Sequence, residues 1–187
     1  MLLAGLWLAL LPAPASAAPT CWGFEATIVG TEGADKIEGT SGSDVIVGLG
    51  GADNIDGNGG DDAICGNDGP DDIHGYGGRD AIDGGPGIDE VNGDAEDDYV
   101  VYGGDGNDEV DGSFGSEPLF GGLGNDRLDG GPGNDYLHGG PGADQVRGEN
   151  GDDTLNGGDD SIDRCDGGSH VNGDTHEGGC ERIEDIP

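Results

Sequence analysis

The sequence predicts an all-β fold, a parallel β-solenoid of nonapeptide repeats set two to a coil, and three observations carry that expectation. The first is a period of nine. Gly121-Gly122-Leu123-Gly124-Asn125-Asp126-Arg127-Leu128-Asp129 runs straight into Gly130-Gly131-Pro132-Gly133-Asn134-Asp135-Tyr136-Leu137-His138, and both read Gly-Gly-x-Gly-x-Asp-x-aliphatic-x. The second is the reach of that phase. Units begin at Gly30, Gly39, Gly48, Gly57, Gly66, Gly75, Gly84 and Gly93 and, after one inserted residue assigned to Tyr102, at Gly103, Gly112, Gly121, Gly130, Gly139 and Gly148. Their first position is always Gly, their fourth Gly except for Glu96, and their sixth Asp except for Glu117. Their eighth, from Ile37 through Val100 to Leu155, is always Ile, Leu or Val. The third is composition: a formal charge of −35 over 187 residues, with Gly 44, Phe 3 and Trp 2, leaves too little apolar surface for an ordinary core. Aliphatic residues at a fixed short period still stack into a thin core, each unit burying its apolar position only against its neighbours.

Residues 1–18 stand apart. Leu2 to Leu11 is a short apolar run followed by Pro12, Pro14 and Ala15-Ser16-Ala17-Ala18, the pattern of a secretory signal with its cleavage site. The run is too short to span a bilayer, so no integral membrane segment is expected after cleavage. No Lys or Arg precedes it; either the free amino terminus supplies the charge or the true start lies a few codons upstream. Residues 19–29 read as an N-terminal cap with a worn repeat. Cys21 to Val29 keeps the phase, with Ile28 in the aliphatic slot, Cys21 in place of the first Gly and Ala26 in place of the Asp. Terminal repeats close an otherwise open core, and Trp22 and Phe24 are expected to act as its lid.

Within residues 30–156 each nonapeptide divides in two. Six positions rich in Gly, Asn, Asp and Pro form a turn; three form a short strand that points position eight inward and positions seven and nine outward. Units n and n+2 then stack, with strands about 4.8 Å apart. Stacking gathers the sixth-position carboxylates into two files. Asp35, Asp53, Asp71 and Asp89 fall along one edge and Asp44, Asp62, Asp80 and Asp98 along the other, with Asp108, Asp126, Asp135, Asp144 and Asp153 continuing the pattern. Carboxylates at that spacing repel one another unless a cation sits between them. Carboxylates together with carbonyls freed by Gly-rich turns are hard oxygen ligands, which suit calcium and its tolerant geometry better than magnesium. A solvated acidic face would have no reason to keep phase with its flanking glycines.

After Asn156 the phase is expected to fail. Gly157 to Asp163 reads as a shortened copy, and residues 157–187 as a C-terminal cap holding Cys165 and Cys180. Behind a secretory signal, cysteines are expected to be paired. Four cysteines allow three pairings. Cys165 with Cys180 is favoured because both lie in the same cap, and Cys21 with Cys65 follows by elimination, which requires the N-terminal segment to fold back. His170 and His176 with these cysteines lack the close paired spacings of structural zinc sites. His74 and His138 fall at outward, solvated positions.

The stretches Gly48-Leu49-Gly50-Gly51-Ala52-Asp53-Asn54-Ile55-Asp56 and Gly121 to His138 resemble the calcium-binding nonapeptide of the repeats-in-toxin (RTX, hemolysin-type) family, and the resemblance covers about residues 21–156. It implies a right-handed parallel β-roll with multiple calcium ions between stacked turns. Gly-loop carbonyls and the sixth-position Asp of adjacent coils would hold them, in a secreted, extracellular bacterial protein. Glu96 and Glu117-Pro118 depart from the family pattern and weaken the sites of their own repeats.

The acidic balance excludes nucleic acid and anionic membrane surfaces as partners. No Ser/His/Asp arrangement, metalloprotease helix or nucleotide loop is present. The reading is therefore a non-enzymatic calcium-binding protein that folds as calcium binds. The alternatives are an adhesive or cell-surface matrix component and a detached folding or secretion module of an exported toxin or hydrolase. Tyr99, Val101, Tyr102, Phe114, Leu119, Phe120 and Leu123 cluster around the two departing repeats. They mark either a surface for cell-surface contact or self-association, or a local repacking.

Overall fold

The computed structural model describes residues 17–158, 162–168, 175–177 and 179–183. Residues 1–16 of the expected leader, His170 and the side chain of His176 lie outside the described residues. Each nonapeptide offers one aliphatic residue between two small or polar ones, and the strands are correspondingly short. Lys36–Glu38, Asn54–Asp56, Asp72–His74 and Tyr136–His138 each bury only the middle residue. Every unit pairs in parallel with the unit one coil on: Ile46 opposes Ile64, Ile55 opposes Ile73, and Leu128 opposes Val146.

Alternate strands therefore belong to alternate sheets. A 9-stranded sheet runs from Ile28–Val29 to Thr175–Glu177, and a second 9-stranded sheet runs from Lys36–Glu38 to Cys180–Ile183. The chain is a parallel β-roll with two nonapeptides to a coil. Among the described residues it has no helix, and so none long and apolar enough to cross a membrane. Between the sheets lies one file of aliphatic side chains from Ile37 to Leu155, continued by Cys165. Full burial of each such side chain stabilises by about 1.5–3 kcal/mol.

Three expectations need correction. The inserted residue is not Tyr102. Val101, not Val100, is the buried core residue, opposite Ile82 and Leu119, and Tyr102 takes the outward ninth position opposite Asp83 and Phe120. The extra residue is absorbed at Tyr99, where the N–H groups of both Tyr99 and Val100 reach the Asp80 carbonyl. The phase also does not fail at Asn156. After one extra residue Asp163 and Cys165 take the sixth and eighth slots, with Cys165 opposite Val146 in the core.

The third correction concerns the N terminus. Ile28 keeps its aliphatic slot opposite Ile46, but Thr20–Cys21 and Phe24–Glu25 form an antiparallel hairpin, not a nonapeptide turn. The hairpin folds back over the outer face of the first sheet. Cys21 packs on Val47 and Cys65, and Trp22 Nε1 donates to the Ala81 carbonyl at 3.2 Å. Trp22 and Phe24 are thus half-exposed on a side of the roll and do not cover its end. Two disulfides tie the ends down, Cys21–Cys65 and Cys165–Cys180, with Cα atoms 5.7 and 5.6 Å apart.

Candidate metal centre

Strand alternation explains why the sixth-position Asp points inward. It lies two residues before the buried aliphatic, so both side chains leave the backbone on the same face. Asp53, Asp62, Asp71, Asp80, Asp89, Asp98, Asp108, Asp126, Asp135, Asp144 and Asp153 are all buried, and Asp163, which the sequence reading missed, joins them. Stacking places these carboxylates in two files. Along one, the N–H of Asp35 donates to Oδ1 of Asp53, and the same bond recurs from Asp53 to Asp71, Asp71 to Asp89, Asp89 to Asp108, Asp108 to Asp126, Asp126 to Asp144 and Asp144 to Asp163, all at 2.8 to 2.9 Å. Along the other it links Asp44, Asp62, Asp80 and Asp98 at 2.7 to 2.8 Å, and then Glu117, Asp135 and Asp153 at 3.0 and 2.9 Å.

The second oxygen of each carboxylate tells more. Oδ2 of every one of the twelve aspartates just named as buried, and both oxygens of Glu117, are buried without a hydrogen-bond partner. A buried, unsatisfied polar atom costs about 1–3 kcal/mol, and more when charged, so a regular row of them implies a partner of another kind. The surroundings fit a cation. A Cβ added to Gly121 would stand 2.5 Å from Asp126 Oδ2 and 2.6 Å from the Gly139 carbonyl of the next coil; at Gly57 the corresponding distances to Asp62 Oδ2 and the Gly75 carbonyl are both 2.8 Å. The first-position glycine thus leaves open a cradle walled by one carboxylate and one main-chain carbonyl. Fourth-position glycines do the same from the other side: a Cβ on Gly106 would meet Asp108 Oδ1 at 2.6 Å, with the Gly87 carbonyl closer still.

Burial, with like-charged neighbours in the same file, pushes Asp62, Asp71 and Asp144 up to about 6 and Asp80, Asp89, Asp98 and Asp126 up to about 7. At neutral pH these acids are held on the edge of ionisation by the fold itself, and a cation among them would tip them to the charged form. Among the described residues no group of three His, Cys, Asp or Glu side chains converges on a single point. A cation in a cradle would draw on one or two carboxylates and complete its shell with carbonyl oxygens, a donor set suited to calcium.

Asp35 and Asp44 behave differently from the rest, because Oδ2 of each accepts hydrogen bonds from Thr31 and Thr40. Glu117 also differs: its oxygens crowd Gly115 and Gly112, and no donor reaches them. The aromatic cluster does not come together as one surface. Val101 and Leu119 are core residues; Tyr102 and Phe120 lie on the outer face of the first sheet beside His138 and Tyr136; Arg79 stacks over Tyr99, 4.2 Å from its ring centre; and Phe114 sits by Asp111 and Asp129. His74 is partly buried between Asp72 and Asp94 and stacks on Tyr76.

The family model of the RTX calcium-binding nonapeptide repeat, spanning four copies, matches residues 29–64, 57–91, 66–100, 84–116, 111–146, 129–161 and 138–169, overlapping windows without a gap between them. No curated protein matches the chain.

Proposed function

Because the chain belongs to the RTX calcium-binding nonapeptide repeat family, we propose that it is a secreted, non-enzymatic β-roll whose folding depends on several calcium ions seated between its turns. The observation that carries this reading is the row of buried carboxylate oxygens without protein partners, from Asp53 to Asp163. These aspartates would hold the ions together with carbonyls of the first- and fourth-position glycines. Bound calcium supplies the positive charge that lets them stay ionised out of water.

The chain's own residues do the remainder. First-position glycines admit the neighbouring coil, the Asp N–H groups fix each carboxylate at Oδ1, and the aliphatic file stacks once the edges close. With the ions removed, self-repulsion at a formal charge of −35 and the entropy of 44 Gly keep the chain expanded. Nearest-neighbour contact between coils makes the transition cooperative. Residues 1–18 serve as the export signal, residues 19–29 and the segment around Cys165 and Cys180 as caps, and two disulfides fit an oxidising, extracellular setting.

Far-ultraviolet circular dichroism in chelator, followed by calcium titration with magnesium as control, tests the reading. A cooperative gain of β signal specific to calcium is expected. A spectrum already fully folded after rigorous chelation would overturn it.

A further inference from the structure

The first two repeats carry Thr where later ones carry a left-handed residue. From Gly48 onward the second position has a positive φ whatever its side chain: Leu49 at 82°, Asn58 at 70°, Tyr76 at 67°, Gly104 at 118°, Glu149 at 70°. Thr31 and Thr40 occupy that position in the first coil and are not among the positive-φ residues. A β-branched side chain resists the left-handed region, so the turn takes another course. It swings the N–H inward. Thr31 donates to Asp35 Oδ2 from its N–H at 2.6 Å and from its hydroxyl at 2.8 Å; Thr40 donates to Asp44 Oδ2 at 2.7 and 2.8 Å. Gly33 and Gly42 donate in turn to the two Thr hydroxyl oxygens at 3.3 and 3.2 Å. The oxygen left without a partner from Asp53 onward is here doubly bonded by the protein.

The same coil is the one the N-terminal segment braces. Thr27 Oγ accepts the Val45 N–H at 2.9 Å, and the Cys21–Cys65 disulfide anchors the hairpin to the adjoining coil beside Val47. We propose that the first coil, residues 30–47, is closed by its own threonines in place of calcium. The calcium files then begin at Asp53 and Asp62, and the roll grows from an N-terminal coil that stands without the ion. Thr31 and Thr40 each supply two donors to a carboxylate that would otherwise need a cation, and charge-assisted bonds of this kind are about twice as strong as neutral ones. Asp35 and Asp44 are therefore structural acceptors and not calcium ligands.

This inference rests on the calcium reading for its ligand count but not for the closure itself, and two measurements on the full chain separate them. In the first, amide hydrogen exchange in chelator compares Ile37 and Ile46 with Leu128 and Leu137. Slower exchange at Ile37 and Ile46 is expected, and equal rates would overturn the closure. In the second, calcium is counted by equilibrium dialysis for three double variants. Asp35→Asn with Asp44→Asn should bind as many ions as the unaltered chain, because a carboxamide oxygen still accepts from Thr. Asp71→Asn with Asp80→Asn should bind fewer. Thr31→Gly with Thr40→Gly, which restores the Gly-Gly turn, should bind at least one ion more and lose the slow exchange at Ile37 and Ile46. A fall in the first variant as large as in the second would overturn the assignment of Asp35 and Asp44. If the unaltered chain took up no calcium, the calcium reading would fail, and the closure would be decided by the exchange rates alone.

Discussion

Along the edge that starts at Asp35, every inward carboxylate is an aspartate, and the N–H to Oδ1 ladder runs unbroken to Asp163. Along the opposite edge the ladder stops between Asp98 and Glu117, whose oxygens accept nothing, and restarts from the Glu117 N–H to Asp135. Ionised Glu and Asp carry the same charge, and they differ in reach. One added methylene carries the Glu117 carboxylate past the Asp98 N–H and hard against Gly115, closer than the Asp Oδ1 atoms that stand beside Gly106 and Gly133 in other repeats. The coil beneath is also irregular: Glu96 holds a positive φ of 78° in a slot that is Gly elsewhere, and the inserted Tyr99 follows it. The carboxylate ladder on this edge thus breaks where the side chain is one methylene longer, while the apolar file between the edges passes the same coil undisturbed, through Val101 and Leu119.

The largest test acts on both edges at once. Burial raises Asp62, Asp71 and Asp144 to about 6 and Asp80, Asp89, Asp98 and Asp126 to about 7, whereas unfolded aspartates titrate near about 4. The ion-free fold then binds more protons than the unfolded chain, so its stability falls as pH rises. The contribution is complete below about pH 4 and is lost as pH rises through about 6 to 7; on the interrupted edge the loss extends higher, because burial and the Asp135 charge raise Glu117 as well. Acidifying the chelated chain from pH 8 to 4 should restore β signal without calcium. Circular dichroism that stayed flat across that range would remove burial as the reason the edges need an ion.

Next in size is the core. Leu119 follows Glu117 and Leu128 follows Asp126, and both are fully buried. If only the edges differ, Leu119→Ala and Leu128→Ala should each cost about 2–5 kcal/mol and by similar amounts, measured by guanidinium unfolding in saturating calcium. A clear excess at Leu119 would mean that the interruption reaches the core.

How much of this was legible in the sequence follows from what sets each feature. Apart from Val101, the aliphatic file from Ile37 to Leu155 and the Asp files from Asp35 to Asp153 repeat in register, so period alone placed them. Asp163 was hidden because one inserted residue moved it out of phase, although Cys165 two positions on gave the slot away. Tyr99 and Tyr102 could not be separated by counting, since Val100 and Val101 are equally good aliphatics; only pairing with Ile82 chose between them. Pairing Cys21 with Cys65 already asked the N terminus to fold back, but the hairpin Thr20 to Glu25 was not visible, because its contact of Trp22 with Ala81 is distant in the chain. The role of Thr31 and Thr40 needed φ, and a threonine in a Gly-rich turn does not announce which donor it turns inward.

A smaller effect compares single ligands. Asp126 sits mid-ladder, accepting from Asp108 and donating to Asp144, whereas Asp98 only accepts, from Asp80. Asp126→Asn should weaken calcium uptake by at least about 10-fold, since losing even a contact that supports a metal's ligands costs about 10–100-fold. Asp98→Asn, beside a ladder already interrupted, should cost less. Titration of both variants by circular dichroism reads the difference, and equal midpoints would show that the break at Glu117 has no energetic meaning.

The smallest effect is the repair. Glu117→Asp shortens the side chain by the methylene that separates the two edges and should return one oxygen to the Asp98 N–H, worth about 1 kcal/mol net, or about fivefold in the calcium midpoint. Glu117→Gln keeps the length and removes the charge, so it separates reach from electrostatics. If reach is the cause, the Asp variant lowers the midpoint and sharpens the transition, while the Gln variant leaves the Asp98 N–H without its partner and the transition as broad as before. Should the Gln variant alone sharpen it, repulsion between Glu117 and Asp135 would be the fault in this edge, and the length of the carboxylate would be incidental.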